Sequence, residues 1–216
     1  MTAQERKIKT EHYLKGIDIP INPLLPVIEE ESEVQIRNSK EIIERILVLT
    51  YLGVFADSPT KGDKDEVINF LKTERLWDAV SEYEKTLFSK KKLTEKDTIN
   101  ISWKTECIYI LLWTIQKIEN IGLPIEQCNN EQIFEILPEY LEPTKDFFST
   151  AIVRTKQEIL DKSDLIYRLH WAVRQAESED EKIPANLDTG ILKEWHYAIN
   201  WLTYYDDNWD EILTDT

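Results

Sequence analysis

Apolar residues recur at helical rather than alternating spacing through most of this 216-residue chain. Over residues 41–55, Ile42, Ile43, Ile46, Leu47, Leu49 and Val54 make a wide stripe on a helix that Asn38 or Ser39 can cap. A second helix is expected from Asp63 or Asp65, carrying Val67, Phe70 and Leu71, breaking near Thr73 and running on through Leu76, Trp77 and Val80 towards Leu87. A third starts near Thr94, bears Trp103, Cys107, Ile110, Leu111, Trp113 and Ile118, and ends at Gly122 ahead of Pro124. Residues 131–137 read as a short helix stopped by Pro138. Pro143 suits the first turn of the next helix, where a missing amide costs nothing, and that helix is expected to pass Glu158 and reach Gln175. Asp188 or Thr189 can cap a last long helix over 191–205, with a further turn at 209–213.

No run alternates apolar and polar residues as a half-buried strand does, and hairpin dipeptides such as Asn-Gly are absent. Residues 19–34 carry Pro20, Pro23 and Pro26, then Glu29-Glu30-Glu31, predicting an extended arm laid over the helices. Residues 177–187 read as an acidic surface loop, and no internal repeat is visible. The expected fold is all-α, a single-domain bundle of about seven to nine helices over 1–216. Within it, 1–37 form a Pro-rich N-terminal arm and 38–216 the helical body.

Composition narrows the function classes. Seven Trp, nine Tyr and six Phe are more than a chain without a core carries. The five glycines, at 16, 53, 62, 122 and 190, stand too far apart for a phosphate loop, a dinucleotide fingerprint or a nucleophile elbow. The formal charge of −15 repels phosphate backbones and anionic lipid, so nucleic acid and membrane are excluded as partners and a basic protein is favoured. The only basic run, Lys90-Lys91-Lys92, reads as a solvated helix end or loop, whereas the stretch 206–216 holds Asp206, Asp207, Asp210, Glu211 and Asp215 with no basic residue. Cys107 and Cys128 are too few for a disulfide framework and read as reduced thiols. The charged start lacks the apolar run of a secretory signal, and the apolar stretch 108–113 is far short of the ~18 residues a membrane span needs. A cytoplasmic location is expected.

The richest chemistry lies in 158–174 and 194–202. At about 100° per residue, Ile159, Ile166, Leu169, Val173 and Ala176 gather on one face, and Asp161, Asp164, Arg168 and Trp171 on the opposite stripe. His170 falls beside Ser163 and Tyr167, more than about 100° from Asp164, so a straight helix cannot bring those two to one point. On the last helix Leu192, Trp195, Ala198, Ile199 and Leu202 form the apolar face, with His196, Asn200 and Thr203 as a neighbouring polar stripe and Tyr197 and Trp201 pointing away. Glu106, Asp161, Asp164, Arg168, His170, Trp171, His196, Asn200 and Trp201 are therefore the candidate residues, either of a pocket or of a closed ion-pair network tying helices together. Sharper motifs fail. HExxH and CxxC are absent, and Asp206, Asn208 and Asp210 mimic a calcium loop that lacks its glycine and its twelfth position. No metal and no cofactor is expected.

Trp103-Lys-Thr-Glu106 with Leu111-Leu112-Trp113, then Glu158-Ile-Leu-Asp161, Asp164-Leu, Tyr167-Arg168 and His170-Trp171-Ala172, make the text familiar. So do His196, Ala198, Asn200-Trp201-Leu202, Trp209-Asp210 and Thr214-Asp215-Thr216, together with Leu25-Pro26, the acidic run 29–33 and Arg37-Asn-Ser-Lys-Glu41 with Arg45. Over nearly its whole length the chain resembles a widespread, mainly bacterial family, the domain of unknown function 4272. The resemblance implies one mainly helical domain and supplies no reaction, ligand or catalytic residue. Trp195 departs from the Glu-Arg-His triplet expected at 194–196, which puts any family role of Glu194 in doubt. Two readings stand. The first is an acidic protein-binding module without catalysis, of which toxin antagonists are one class. The alternative is a hydrolase-like or small-ligand-binding enzyme that sets Asp161, Asp164 and Arg168 opposite His196 and Asn200, with His170 or His196 as general base and Arg168 holding an anion.

Overall fold

The computed structural model describes residues 1–58 and 60–216, and nine α-helices and no strand occur among them. They are α1 (Ala3–Gly16), α2 (Ser39–Asp57), α3 (Lys61–Thr73), α4 (Glu82–Ser89), α5 (Glu95–Thr114), α6 (Asn130–Ile136), α7 (Lys145–Ser149), α8 (Lys156–Ser178) and α9 (Thr189–Leu202), with 3₁₀ turns at Trp77–Ala79, Pro184–Asn186 and Trp209–Glu211. Five of them stand in a row, α2 on α5, α5 on α9, α9 on α8 and α8 on α1, while α3, α4 and α7 pack on α2. The inner members are buried on several sides: ten side chains of each of α5 and α9 and eleven of α8 are withdrawn from water, and α2, covered by α3, α4 and α7 as well as α5, buries ten. One large apolar cluster runs from α2 through α9 and makes the molecule a single domain, with a smaller cluster of Leu14, Ile19, Leu169, Ala172, Val173, Leu187 and Leu192 under α1.

The helix starts follow local chemistry. Thr2, Asn38, Thr60, Ser81, Thr94 and Thr155 each accept the backbone N–H three residues on, and Glu5, Glu41, Asp63, Glu84, Asp97 and Glu158 return a bond to the cap's own amide. Asn38 rather than Ser39 caps α2, Thr60 starts α3 earlier than the expected Asp63, and Asp188 caps α9.

Three expectations are corrected. The N-terminal 37 residues are not an arm throughout, because α1 occupies Ala3–Gly16, and the non-helical stretch that follows is 17–37. The helix expected to reach Gly122 ends at Thr114, where Arg154 takes the carbonyls of Trp113 (2.8 Å), Ile118 (3.0 Å) and Glu119 (3.0 Å) and its own N–H donates to Thr114 O (2.9 Å). The helix expected to run from Pro143 past Glu158, with a bend near Asp161, is two, α7 and α8, since Thr155 and Glu158 form a capping box that begins a new one. No helix among the described residues is long and apolar enough to cross a membrane.

Candidate functional site

Three consecutive residues of α9 reach three different partners, because successive side chains on a helix fan out by about 100°. Glu194 accepts from Lys104 Nζ at 2.7 Å, Trp195 donates its indole N–H to Glu106 at 3.0 Å, and His196 Nδ1 lies 2.8 Å from His170 Nδ1. Glu106 also accepts from the Cys128 amide at 2.8 Å. The Trp103-Lys-Thr-Glu106 segment of α5 and the Glu194-Trp-His196 segment of α9 are thus one interlocked joint, to which α8 adds His170. Cys107 lies inside it, donating to Glu194, and burial pushes its thiol far above the ordinary range.

The stripe of Asp161, Asp164, Arg168 and Trp171 lies under α1 and the residues that follow it. Asp164 is fully buried and receives three bonds from Arg168 at 2.8–3.1 Å. Arg168 donates further to Pro26 O at 3.1 Å, and its Nη1 stands 3.6 Å from Glu11. Asp161 belongs to a separate pairing, accepting from Arg6 at 3.1 Å and Lys9 at 2.9 Å. Trp171 packs against the small cluster. Trp201 belongs to the large apolar cluster, with the Arg37 guanidinium 4.4 Å over its ring and Trp209 edge-on at 5.4 Å.

Beside these closed networks a cleft of about 680 Å³ opens between α8 and α9. Its floor is Ser163, Tyr167, His196, Asn200 and Thr203, and its walls come from residues 26–35 and from the chain after α9. Of the nine candidates, His196 and Asn200 line it; Asn200 donates to Leu213 O at 2.8 Å and so holds the C-terminal segment against the opening. Arg37 ties the two walls together, donating to the carbonyls of Trp201 (2.8 Å), Asp206 (3.3 Å) and Asp207 (3.0 Å). Sequence reasoning marked the acidic runs at 29–33 and 206–215 but not that they face each other. Glu29, Glu33, Asp207 and Asp215 line one cleft, together with Tyr167, Tyr204 and Tyr205. No local signal carries that, because Arg37 brings together residues some 170 positions apart.

Chemically the cleft offers acceptors and ring faces. Burial, then the neighbouring His170, lowers His196 to about 3; burial, then Arg174, lowers His170 to about 4. Both imidazoles are uncharged at neutral pH and weak as general bases. Among the described residues no hydrogen bond joins Ser163 to His196, and no group of three His, Cys, Asp or Glu is placed to hold a metal ion.

The family model described as domain of unknown function (DUF4272) matches residues 6–212. Neither the curated proteins nor the solved structures include a match to the chain.

Proposed function

The chain belongs to the domain of unknown function 4272 family, and from that premise we propose that it is a non-catalytic interaction protein of the cytoplasm whose acidic cleft receives a basic segment of another protein. One observation carries the reading. Glu29, Glu33, Asp207 and Asp215 line the cleft, no Lys or Arg lines it, and none of the four has a basic partner at ion-pair distance among the described residues. Four exposed acidic residues at the rim of one cleft concentrate negative charge there, and a lysine or arginine chain entering between them is attracted by it. Tyr167 and Tyr205 add ring faces suited to a cation, and the overall charge of −15 speeds encounter with a basic partner. Among the described residues lining the cleft no hydrogen bond joins the Ser163 hydroxyl to His196, which favours binding over turnover.

Calorimetric titration with hexalysine tests this. Binding is expected at about 0.05 M salt and strong weakening at about 0.5 M, where the Debye length is only a few ångströms. The variant Glu29→Gln/Glu33→Gln/Asp207→Asn/Asp215→Asn should bind roughly 10- to 100-fold more weakly. Absence of binding at low salt, or equal binding by the neutralised variant, would refute the reading.

A further inference from the structure

His196 is the most buried polar side chain lining the cleft, 4 % exposed against 8 % for Ser163 and 9 % for Asn200. Its Nδ1 is engaged with His170 Nδ1, and its Nε2 has no hydrogen-bond partner among the described residues. The rings stand perpendicular, with centroids 5.1 Å apart. Tyr167 meets the His196 ring edge-on at 6.0 Å.

A contact of 2.8 Å between two ring nitrogens needs one donor and one acceptor. A neutral imidazole carries a single N–H, so the pair has two arrangements. If His170 donates from Nδ1, then His196 accepts at Nδ1 and carries its own proton on Nε2, presenting a donor. If His196 donates from Nδ1, its Nε2 is a bare lone pair and presents an acceptor, while His170 carries its remaining hydrogen on neither side of the contact but on Nε2. The choice of tautomer therefore sets what the cleft can recognise.

Resting on the proposal that the cleft takes a basic group, we infer that it selects cations bearing N–H groups, primary ammonium or guanidinium, over quaternary ammonium, and that the bound cation fixes the pair with His196 protonated at Nδ1 and accepting at Nε2. The cation's N–H donates to His196 Nε2 on the floor of the cleft, whose exposed rim carries the carboxylates. Conversion from the other tautomer balances: the Nδ1 proton of His170 passes to His196 Nδ1, His196 Nε2 releases one proton to water, and His170 Nε2 takes one from water. A trimethylated ammonium has the same charge and the same affinity for ring faces, but it offers methyl groups to a buried acceptor and leaves it unpaired.

Two measurements on the full chain test the inference. In the first, protein labelled with ¹⁵N at histidine is saturated with hexalysine, and long-range proton–nitrogen spectra are recorded. His196 is expected with a protonated Nδ1 and a bare Nε2, and His170 with the reverse. In the second, hexalysine is compared with its fully trimethylated counterpart, which should bind about tenfold more weakly, the loss for one unpaired buried acceptor. A hexalysine complex with His196 protonated at Nε2, or equal affinity for the two peptides, overturns the inference while leaving the cleft a cation site. Failure of hexalysine to bind at all overturns the proposed function itself.

Discussion

A methyl group placed on Gly190 would stand 2.6 Å and 2.9 Å from two ring carbons of Trp103 and 3.1 Å from the Asp188 carboxylate that caps α9. The indole of Trp103 thus lies where a side chain at 190 would be, which adds a contact to the α5–α9 joint one turn of α5 away from Glu106. Gly53, within α2, has open space where its side chain would go. The same substitution should act with opposite signs at these positions. Gly190→Ala is expected to cost about 1–3 kcal/mol through displacement of a rigid ring and crowding of the cap. Gly53→Ala should add about 0.5–1 kcal/mol by removing backbone freedom from the unfolded helix. Urea unfolding midpoints measured side by side decide it, and movement in the same direction would mean that Trp103 does not rest on Gly190. At Trp195 the indole N–H gives Glu106 a neutral donor from α9.

At the scale of elements, what the pattern of apolar positions revealed depended on how each helix is held. The cores of α2, α5, α8 and α9 were legible because their buried faces are built from Ile, Leu, Val and Trp at helical spacing. The break between α7 and α8 was present as Thr155 with Glu158 three residues on, a capping box outweighed by the attraction of Pro143 as a start. α1 went unseen because its inward stripe is Ala3, Arg6, Thr10 and Leu14, helical in spacing yet half polar. Arg6 is fully buried, donating to Asp161 and lying 3.6 Å from Glu31, so α1 is fastened largely by charge. Arg6→Ala removes the charged bond from Arg6, while Asp161 keeps Lys9 at 2.9 Å, so the loss is about 1.5–3 kcal/mol. Amide hydrogen exchange over residues 3–16 should therefore speed up by about 10- to 100-fold while α5 stays protected. Unchanged exchange in α1 would show that Leu14 and Ile19 alone hold it.

For the whole molecule, the division between closed networks and open cleft was not legible, because it depends on α1 and the 26–35 segment covering one stripe of α8 and not the next. The stripe positions themselves were: Ser163 and Tyr167 fall beside His170, and His196, Asn200 and Thr203 share one side, as the cleft lining has them. That joint should govern how stability varies with acidity. His170 lies at about 4 and His196 at about 3 in the fold, against about 6.5 when unfolded. The unfolded chain then binds more protons below pH 6.5, so this contribution is complete above that value and is lost as pH falls towards 4. The charged groups acting on His170 are Arg174, Glu177 and Lys193, and Glu29, Glu33, Asp207 and Asp215 share the cleft with His196. Acidification also relieves the repulsion of a chain at −15, which acts in the opposite sense. Comparison with His170→Phe/His196→Phe isolates the imidazoles, since both proteins carry the same carboxylates. Asp97, held at about 2 by Lys90, then Thr94, does not titrate in the window. Between pH 6.5 and 5 the parent should lose about 3 kcal/mol relative to the variant, about 1.4 kcal/mol per pH unit for each imidazole at the steepest. Urea unfolding at closely spaced pH values reads this difference directly, and parallel curves would mean that both imidazoles titrate in the folded joint as they do in the unfolded chain.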